Sequence, residues 1–291
     1  MISRFPSVGS VLTSKSGLFG VFLQARYVSL STLSLPTSGI LHMEALPYLK
    51  EVSLKRDRVD SFSAYPFSIP AVNHLDTLEF AKDVTILVGE NGSGKSTLLE
   101  AIAVGMGFNA EGGTKNFNFG TRSTHSSLYE YLGLSKSYKK HRDGFFLRAE
   151  SFYNVATNID ELDEEPGPQP PIINSYGGVS LHHQSHGESF LALMVERFGG
   201  EGLYILDEPE AALSPTRQLS VLSRMHQLVK ANSQFIIATH SPILMAYPGA
   251  RIYQIDTSGI NQIKYEDTEH YQVTKAFLNN PGPMLAQLFS D

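Results

Sequence analysis

Residues 89–97 of this chain read Gly89-Glu90-Asn91-Gly92-Ser93-Gly94-Lys95-Ser96-Thr97. The stretch fits the pattern G-x-x-x-x-G-K-[ST] from residue 89 to residue 96. An apolar, β-branched run precedes it at 84–88, and apolar residues recur at helical spacing between 98 and 106. The pattern therefore predicts a strand, a tight loop and a helix in succession. A glycine-rich turn that contained a lysine by chance would not need both flanking elements.

The loop has the composition of a phosphate-binding site. Glycines let backbone N–H groups turn inward around phosphate oxygens, and the N-terminus of the following helix adds partial positive charge. We expect Lys95 to reach the β- and γ-phosphates of a nucleoside triphosphate, and the Ser96 hydroxyl to coordinate Mg²⁺. Residues Gly89 to Thr97 are the predicted nucleotide contacts. The sequence has no guanine-specific Asn-Lys-x-Asp motif, so the expected nucleotide is ATP.

A second apolar run, 203–206, predicts a strand that ends at two adjacent carboxylates, Asp207 and Glu208. Open α/β sheets bind ligands at the carboxyl ends of their strands. Asp207 is suited to hold Mg²⁺, and Glu208 to polarise the water that attacks a γ-phosphate. The alternative is a polar strand end that leads into a turn at Pro209.

The phosphate loop and the two adjacent carboxylates resemble those of the ABC-type ATPases, a branch of the P-loop proteins. The resemblance covers residues 84–247. The chain is similar to stand-alone bacterial ATPases of this type, which are also described as AAA-family proteins. The resemblance implies that ATP is sandwiched between two chains, with the signature loop of one chain on the γ-phosphate held by the other. It also implies an α/β P-loop NTPase fold, in which helices flank a mixed central sheet next to an antiparallel β-part.

Residues Ser185-His186-Gly187-Glu188-Ser189 match the position of the signature loop. The usual form is Leu-Ser-Gly-Gly-Gln, and here Gln184 and His186 replace the leucine and the first glycine. The resemblance makes Ser185, Gly187 and Glu188 candidate contacts to the partner's nucleotide. Alternatively, Ser185 caps the following helix in a capping box with Glu188. Both interpretations can hold, because a capped helix N-terminus is itself an anion site.

Two further family elements follow in order. Residues 210–215 match the loop that crosses the dimer interface, and the strand 234–238 leads into Thr239-His240-Ser241. The resemblance makes His240 the switch histidine that senses the γ-phosphate, although a lone histidine at a strand end is more often structural.

Other candidates are less specific. After a strand at 144–147, Glu150 is the nearest stand-in for the family's glutamine that reaches the metal and the attacking water, but a surface ion pair with Arg148 explains it almost equally well. Tyr65 and Phe67 are candidates to stack on adenine, or ordinary core aromatics. Three histidines near the signature loop do not predict a zinc site, since neither cysteine nor HExxH spacing accompanies them.

Composition limits the class of protein. At 291 residues, with 42% hydrophobic and 18% charged residues and no cysteine, the chain suits a soluble globular protein without disulfides. No run of about 18 apolar residues predicts membrane insertion. A cytoplasmic location is expected. The formal net charge of −6 argues mildly against broad DNA affinity, although a basic cluster at 136–142 leaves nucleic-acid contact open.

The first 42 residues contain three basic residues and no acidic one. We expect translation to start at Met43, or this segment to be an organellar targeting signal, and in either case to lie outside the folded ATPase domain at 43–291. That domain is expected to have an antiparallel β-part at 49–88 and a small helical or irregular insert at about 107–184. Within the insert, the acidic, proline-rich segment from Asp160 to Pro171 is expected to be a flexible surface loop. The predicted function is ATP hydrolysis by an ATP-dependent homodimer with an unknown protein partner. The alternatives are the ATP-binding subunit of a transporter and a DNA-associated repair or defence module.

Overall fold

The computed structural model describes residues 47–114, 126–149, 152–164 and 170–290. They all belong to one unit, residues 44–291. The strands in this part of the chain are β1 (Leu49–Leu54), β2 (Thr77–Glu79), β3 (Val84–Val88), β4 (Leu132–Lys136), β5 (Asp143–Arg148), β6 (Gly202–Asp207), β7 (Gln234–Ala238), β8 (Arg251–Asp256) and β9 (Gly259–Ile263). The helices are α1 (Pro70–Asn73), α2 (Lys95–Gly105), α3 (Phe152–Glu164), α4 (His186–Ala192), α5 (Pro215–Lys230), α6 (Pro242–Met245), α7 (Glu269–Asn279) and α8 (Pro281–Leu288).

Six strands form the central sheet in the order β5-β6-β7-β3-β8-β9. The first five of these run parallel, and β9 closes the edge antiparallel to β8. Strands β3, β6 and β7 are buried along their whole length, as expected for parallel strands that are covered on both faces. The strands predicted at 84–88, 144–147, 203–206 and 234–238 are therefore confirmed, and so is the helix after the glycine-rich loop.

The register of the sheet brings the predicted motifs to one edge. Asp207 is paired with Ala238, and Ala238 is paired with Leu87 on its other side. The segments that leave β3, β6 and β7 thus begin side by side, because parallel strands end at the same edge. Side chains alternate between two apolar cores: Leu87 packs in one, whereas Ile86 and Val88 pack in the other.

A separate three-stranded antiparallel sheet has the order β2-β1-β4. It confirms the antiparallel β-part predicted within 49–88. Its third strand, β4, comes from the region that was predicted to be a helical or irregular insert, and this prediction was wrong for 132–136. The five residues Leu-Gly-Leu-Ser-Lys carry little local strand signal, and pairing with β1 along its length stabilises them as a strand.

The acidic stretch that starts at Asp160 was predicted to be a surface loop, and this was wrong as far as Glu164. Helix α3 continues to Glu164 because Val155, Ala156 and Ile159 bury one face of it. The acidic side chains occupy the remaining, more exposed face. Residues 165–169 of the predicted loop lie outside the described residues, as do residues 1–46, so the predicted boundary at Met43 stays a prediction.

Candidate nucleotide and catalytic site

The loop between β3 and α2 is shaped by two glycines that no other residue could replace without strain. Gly89 has φ 150°, and a Cβ there would lie 2.2 Å from the carbonyl oxygen of Ile255. Gly94 has φ 95°, and its Cβ would lie 2.8 Å from the side chain of Ile69. Inside the loop, the Ser93 hydroxyl is buried without a hydrogen-bond partner. An unpaired buried donor in a glycine-rich loop is chemically suited to a phosphate oxygen.

Lys95 is the first residue of α2 and is only 4% exposed. Its ammonium group donates to the carbonyl oxygens of Gly89 (2.7 Å) and Glu90 (2.9 Å). Burial lowers its pKa, and the nearby carboxylates of Glu208 and Asp207 act in the opposite direction. The structure therefore holds a buried cation at the mouth of the loop, opposite the acidic end of β6.

Ser96 and Asp207 meet across the sheet edge. The Ser96 hydroxyl donates to Asp207 Oδ1 at 3.0 Å, and Asp207 is 4% exposed. A hydroxyl oxygen and a buried carboxylate are hard oxygen ligands of the kind that Mg²⁺ prefers, so these two residues fit the predicted metal. Glu150, the third predicted metal ligand, lies outside the described residues.

Glu208 follows Asp207 in a left-handed backbone conformation, with φ 50°. Its N–H donates to the carbonyl oxygen of Ala238 (2.9 Å), and its side chain is 41% exposed. Glu208 Oε1 lies 3.7 Å from His240 Nε2. A non-glycine residue costs free energy in this conformation and is typical of a functional position. The turn aims the carboxylate away from the strand and toward His240.

His240 is held from two sides. Its backbone N–H donates to Glu210 Oε1 (2.5 Å), and its Nδ1 lies 3.0 Å from Nε2 of His270. Burial and the charge of Lys95 lower the pKa of His240, which favours a neutral ring at pH 7. Its Nε2 is buried without a hydrogen-bond partner. Burial raises the pKa of Glu210.

The loop that follows β6 is tied to the loop that follows β7. Gln218 on α5 donates to the carbonyl oxygen of Leu213 (3.0 Å) and accepts from the Ser241 hydroxyl (2.5 Å). Ser241 also caps α6. The segments that carry Glu208 and His240 are therefore fixed relative to each other by a buried side chain.

Ser185 caps α4, as the local interpretation predicted. Ser185 and Glu188 form the capping box. The Ser185 N–H donates to Glu188 Oε2 at 3.0 Å, and the Ser185 hydroxyl donates to the same oxygen at 2.7 Å. Arg217 on α5 adds a hydrogen bond to Ser185 Oγ (3.3 Å) and an ion pair with Glu188 (3.2 Å). Gly187 is buried below this arginine, and a Cβ there would lie 2.7 Å from the carbonyl oxygen of Ala212. Ser185 and Glu188 remain exposed.

One cleft of about 470 Å³ is lined both by residues of the predicted signature segment and by Glu208, the predicted base. Ser185, Gly187, Glu208, Phe152 and Arg217 are among the residues that line it.

The two residues predicted to stack on adenine, Phe67 and Tyr65, differ in their exposure. Phe67 is buried and packs edge-on against Tyr131, with ring centroids 4.8 Å apart, so it is a core residue and the stacking prediction is wrong for it. Tyr65 is 68% exposed and stays a prediction. Sequence reasoning missed two residues, Arg217 and His270. No local motif marks either one, because each meets its partner only through helix packing.

Comparisons with known proteins identify the family of this chain. A family model described as "AAA domain" matches residues 62–156, and one described as "AAA domain, putative AbiEii toxin, Type IV TA system" matches residues 129–246. The cytochrome c biogenesis ATP-binding export protein of Rhodopseudomonas palustris is 31% identical over 176 residues, which cover 57% of this chain and 82% of that protein. The chain belongs to the ABC-type ATPase family. The ATPase is therefore an ATP-hydrolysing P-loop enzyme, as the resemblance predicted.

Other relatives of the ATPase are more distant. The energy-coupling factor transporter ATP-binding protein of Methanospirillum hungatei is 25% identical, and the match covers 75% of this chain but only 58% of the relative. Among solved structures, an ATP-binding cassette of an ABC transporter is 16% identical (TM-score 0.48; 84% of this chain, 100% of that one). The SMC head domain from Thermotoga maritima is 18% identical (TM-score 0.42; 74% and 99%). Within the described residues, no helix of the ATPase is both long and apolar enough to span a bilayer.

Proposed function

We propose that two copies of this ATPase close around ATP and Mg²⁺ and couple hydrolysis to movement of a protein partner. The observation that carries the hydrolytic part is the cluster at the end of β6. There the Ser96–Asp207 hydrogen bond (3.0 Å) lies next to the Glu208–His240 pair (3.7 Å). This cluster supports the proposal, because the predicted metal ligands, the predicted base and an imidazole lie along one sheet edge.

Each residue has a role that follows from its chemistry. Lys95 and the loop N–H groups bind the β- and γ-phosphates. Ser96 and Asp207 would hold Mg²⁺, which neutralises phosphate charge when bound. Glu208 accepts a hydrogen bond from the attacking water and takes up its proton as the new P–O bond forms and the bond to ADP breaks. His240 Nε2 donates to a γ-phosphate oxygen, for which its unpaired, buried position is suited.

The proposed dimer rests on the signature segment. Ser185 is exposed at a capped helix start, with the cation of Arg217 beside it. A partner's γ-phosphate placed there would be contacted by a hydroxyl and a guanidinium. Closure of two chains would enclose each nucleotide between the phosphate loop of one chain and Ser185 of the other, and would exclude water.

A complementation experiment tests the dimer. Lys95→Ala should abolish nucleotide binding in its own chain, and Ser185→Arg should block the partner's site. Each variant alone should be inactive. An equal mixture should recover roughly a quarter of the parent rate, because random pairing gives half heterodimers with one intact site each. If the mixture stays inactive although both variants are folded, Ser185 does not act in trans.

Light scattering after size-exclusion chromatography gives a second readout. The full-length Glu208→Gln variant should become a dimer with ATP and Mg²⁺ and remain a monomer without them. Lys95→Ala in the same background is the control and should stay monomeric under both conditions. Binding of ATP without dimerisation would contradict the proposal.

A role as the ATP-binding subunit of a transporter is the second candidate. The names of three curated relatives, at 25–31% identity, favour it because each is an ATP-binding protein of a transporter or export system. Copurification of the tagged chain with a membrane protein would support it. Direct DNA binding has less support: two of the basic residues at 136–142, Lys139 and Arg142, are paired with Glu201. We also propose that the ATPase domain comprises 43–291 and acts in the cytoplasm.

A further inference from the structure

His240 contacts another histidine, His270, which lies outside the region that resembles the family. His270 lies in the first turn of α7, near the end of the chain. Its Nε2 is 3.0 Å from His240 Nδ1, and the two ring centroids are 5.1 Å apart. No motif at residues 84–247 requires this contact, and the roles assigned above do not use it.

Only one arrangement of protons on the two neutral rings lets His240 donate a hydrogen bond to a phosphate. A neutral imidazole carries its proton on one nitrogen only. If His240 Nε2 is to donate to a phosphate oxygen, the proton of a neutral His240 must lie on Nε2, and Nδ1 must accept. His270 Nε2 is the group within 3.0 Å that can donate to that Nδ1. The hydrogen bond of one ring thus sets the tautomer of the other.

Charged groups around the pair favour neutral rings. Lys95 faces His240, and both Lys95 and His240 oppose a positive charge on His270. Glu208 faces His240, whereas Glu269 and Glu210 face His270. Two protonated rings could not form the contact, because neither would offer an acceptor nitrogen.

We propose that His270 is a positioning residue for ATP hydrolysis: it donates from Nε2 to His240 Nδ1 and thereby holds His240 in the orientation and tautomer that present Nε2–H to the γ-phosphate. This inference rests on the proposed role of His240. If the two rings only filled space, Nε2 of His270 would not need to face Nδ1 of His240. The Nδ1 of His270 is itself buried without a hydrogen-bond partner, a cost that an apolar residue would avoid.

The test compares three substitutions in the full-length protein. His270→Phe keeps a ring and removes the donor. His270→Gln keeps an amide N–H at the reach of Nε2 and should replace the hydrogen bond. His226→Phe is the matched control, because His226 is an exposed histidine on α5 outside the site.

His270→Phe should lower kcat by at least about tenfold with KM for ATP changed less than about twofold, since an orienting partner of a catalytic imidazole acts on the transition state. His270→Gln should retain most of the parent kcat, and His226→Phe all of it. In a His240→Ala background, His270→Phe should cause no further loss. Long-range ¹H–¹⁵N spectra should show His240 protonated on Nε2 in the parent and in His270→Gln, but as a tautomer mixture in His270→Phe.

Several results would overturn the inference. The first is an unchanged kcat in His270→Phe. The second is an equal loss of kcat in His270→Phe and His270→Gln. The third is a loss of kcat from His270→Phe that is equally large in the parent and in the His240→Ala background. A thermal unfolding curve that matches the parent excludes misfolding as the cause. If His240→Ala itself hydrolyses ATP at the parent rate, the proposed role of His240 fails first. If His240→Ala is slow while His270→Phe is normal, only the inference about His270 fails.

Discussion

The hydroxyl of Ser96 donates to Oδ1 of Asp207 across 111 positions of sequence, at 3.0 Å. The first residue belongs to the helix that follows β3 and the second ends β6, with β7 between the two strands in the sheet. Because both strands are parallel and in register with β7, the predicted phosphate loop and the predicted metal ligand Asp207 come together although no local signal links them.

Substitution of Asp207 should weaken the response to magnesium. Asp207→Asn removes a charged oxygen ligand, so the Mg²⁺ concentration for half-maximal hydrolysis should rise by at least about tenfold. Asp256→Asn is the control, because Asp256 also ends a strand of the same sheet and is not part of the site. A chelator should abolish hydrolysis by both variants. Equal Mg²⁺ requirements in the two would argue against Asp207 as a ligand.

Glu208→Gln should lower kcat by at least about 100-fold with little change in KM, because the amide cannot take up the proton of the attacking water. Glu201→Gln is a closely matched control. Glu201 has the same left-handed backbone (φ 53°) and lies just before β6, at its opposite end. Phosphate release at saturating ATP measures both. If Glu208→Gln turns over at the parent rate, another residue is the base.

The backbone at Glu208 predicts a stability difference that is independent of catalysis. At φ 50°, glycine relieves strain that alanine retains, so Glu208→Gly should be more stable than Glu208→Ala by about 1 kcal/mol. Both variants lack the carboxylate and should be inactive. Urea unfolding monitored by circular dichroism gives the difference, and alanine equal to or above glycine would show that the conformation is not strained.

The histidine pair should give the protein a pH dependence of stability. Burial lowers the pKa of His240 and of His270 below 6.5, so below that pH the unfolded chain binds more protons than the folded one. The free energy of unfolding should then be fully retained above about pH 6.5 and should fall as pH drops toward the folded pKa values. His270→Gln removes one of these groups, so its stability should fall less steeply between about pH 7 and pH 5. Parallel curves for variant and parent would contradict this.

Local sequence patterns correctly predicted those parts of the fold in which the structure of a segment depends mainly on its own residues. The run at 84–88, the glycines of the loop and the periodic residues after Lys95 predicted β3, the turn and α2. The spacing of Ser185 and Glu188 predicted the capping box for the same reason, since both groups lie within one helical turn. Local pattern failed at β4, whose strand conformation depends on pairing with β1, and at Asp160–Glu164, where burial of the opposite helix face continues α3.

The sequence by itself determined which chemistry this protein carries: a phosphate loop, two carboxylates at a strand end and a histidine after the next strand. The tertiary structure alone decided which groups meet. The register of parallel strands brings Ser96 to Asp207, the packing of α5 brings Arg217 to Ser185, and the packing of α7 brings His270 to His240. Such contacts depend on where whole helices and strands lie in space. The number of residues between two groups in the sequence does not determine those positions, because the intervening chain folds back onto the sheet.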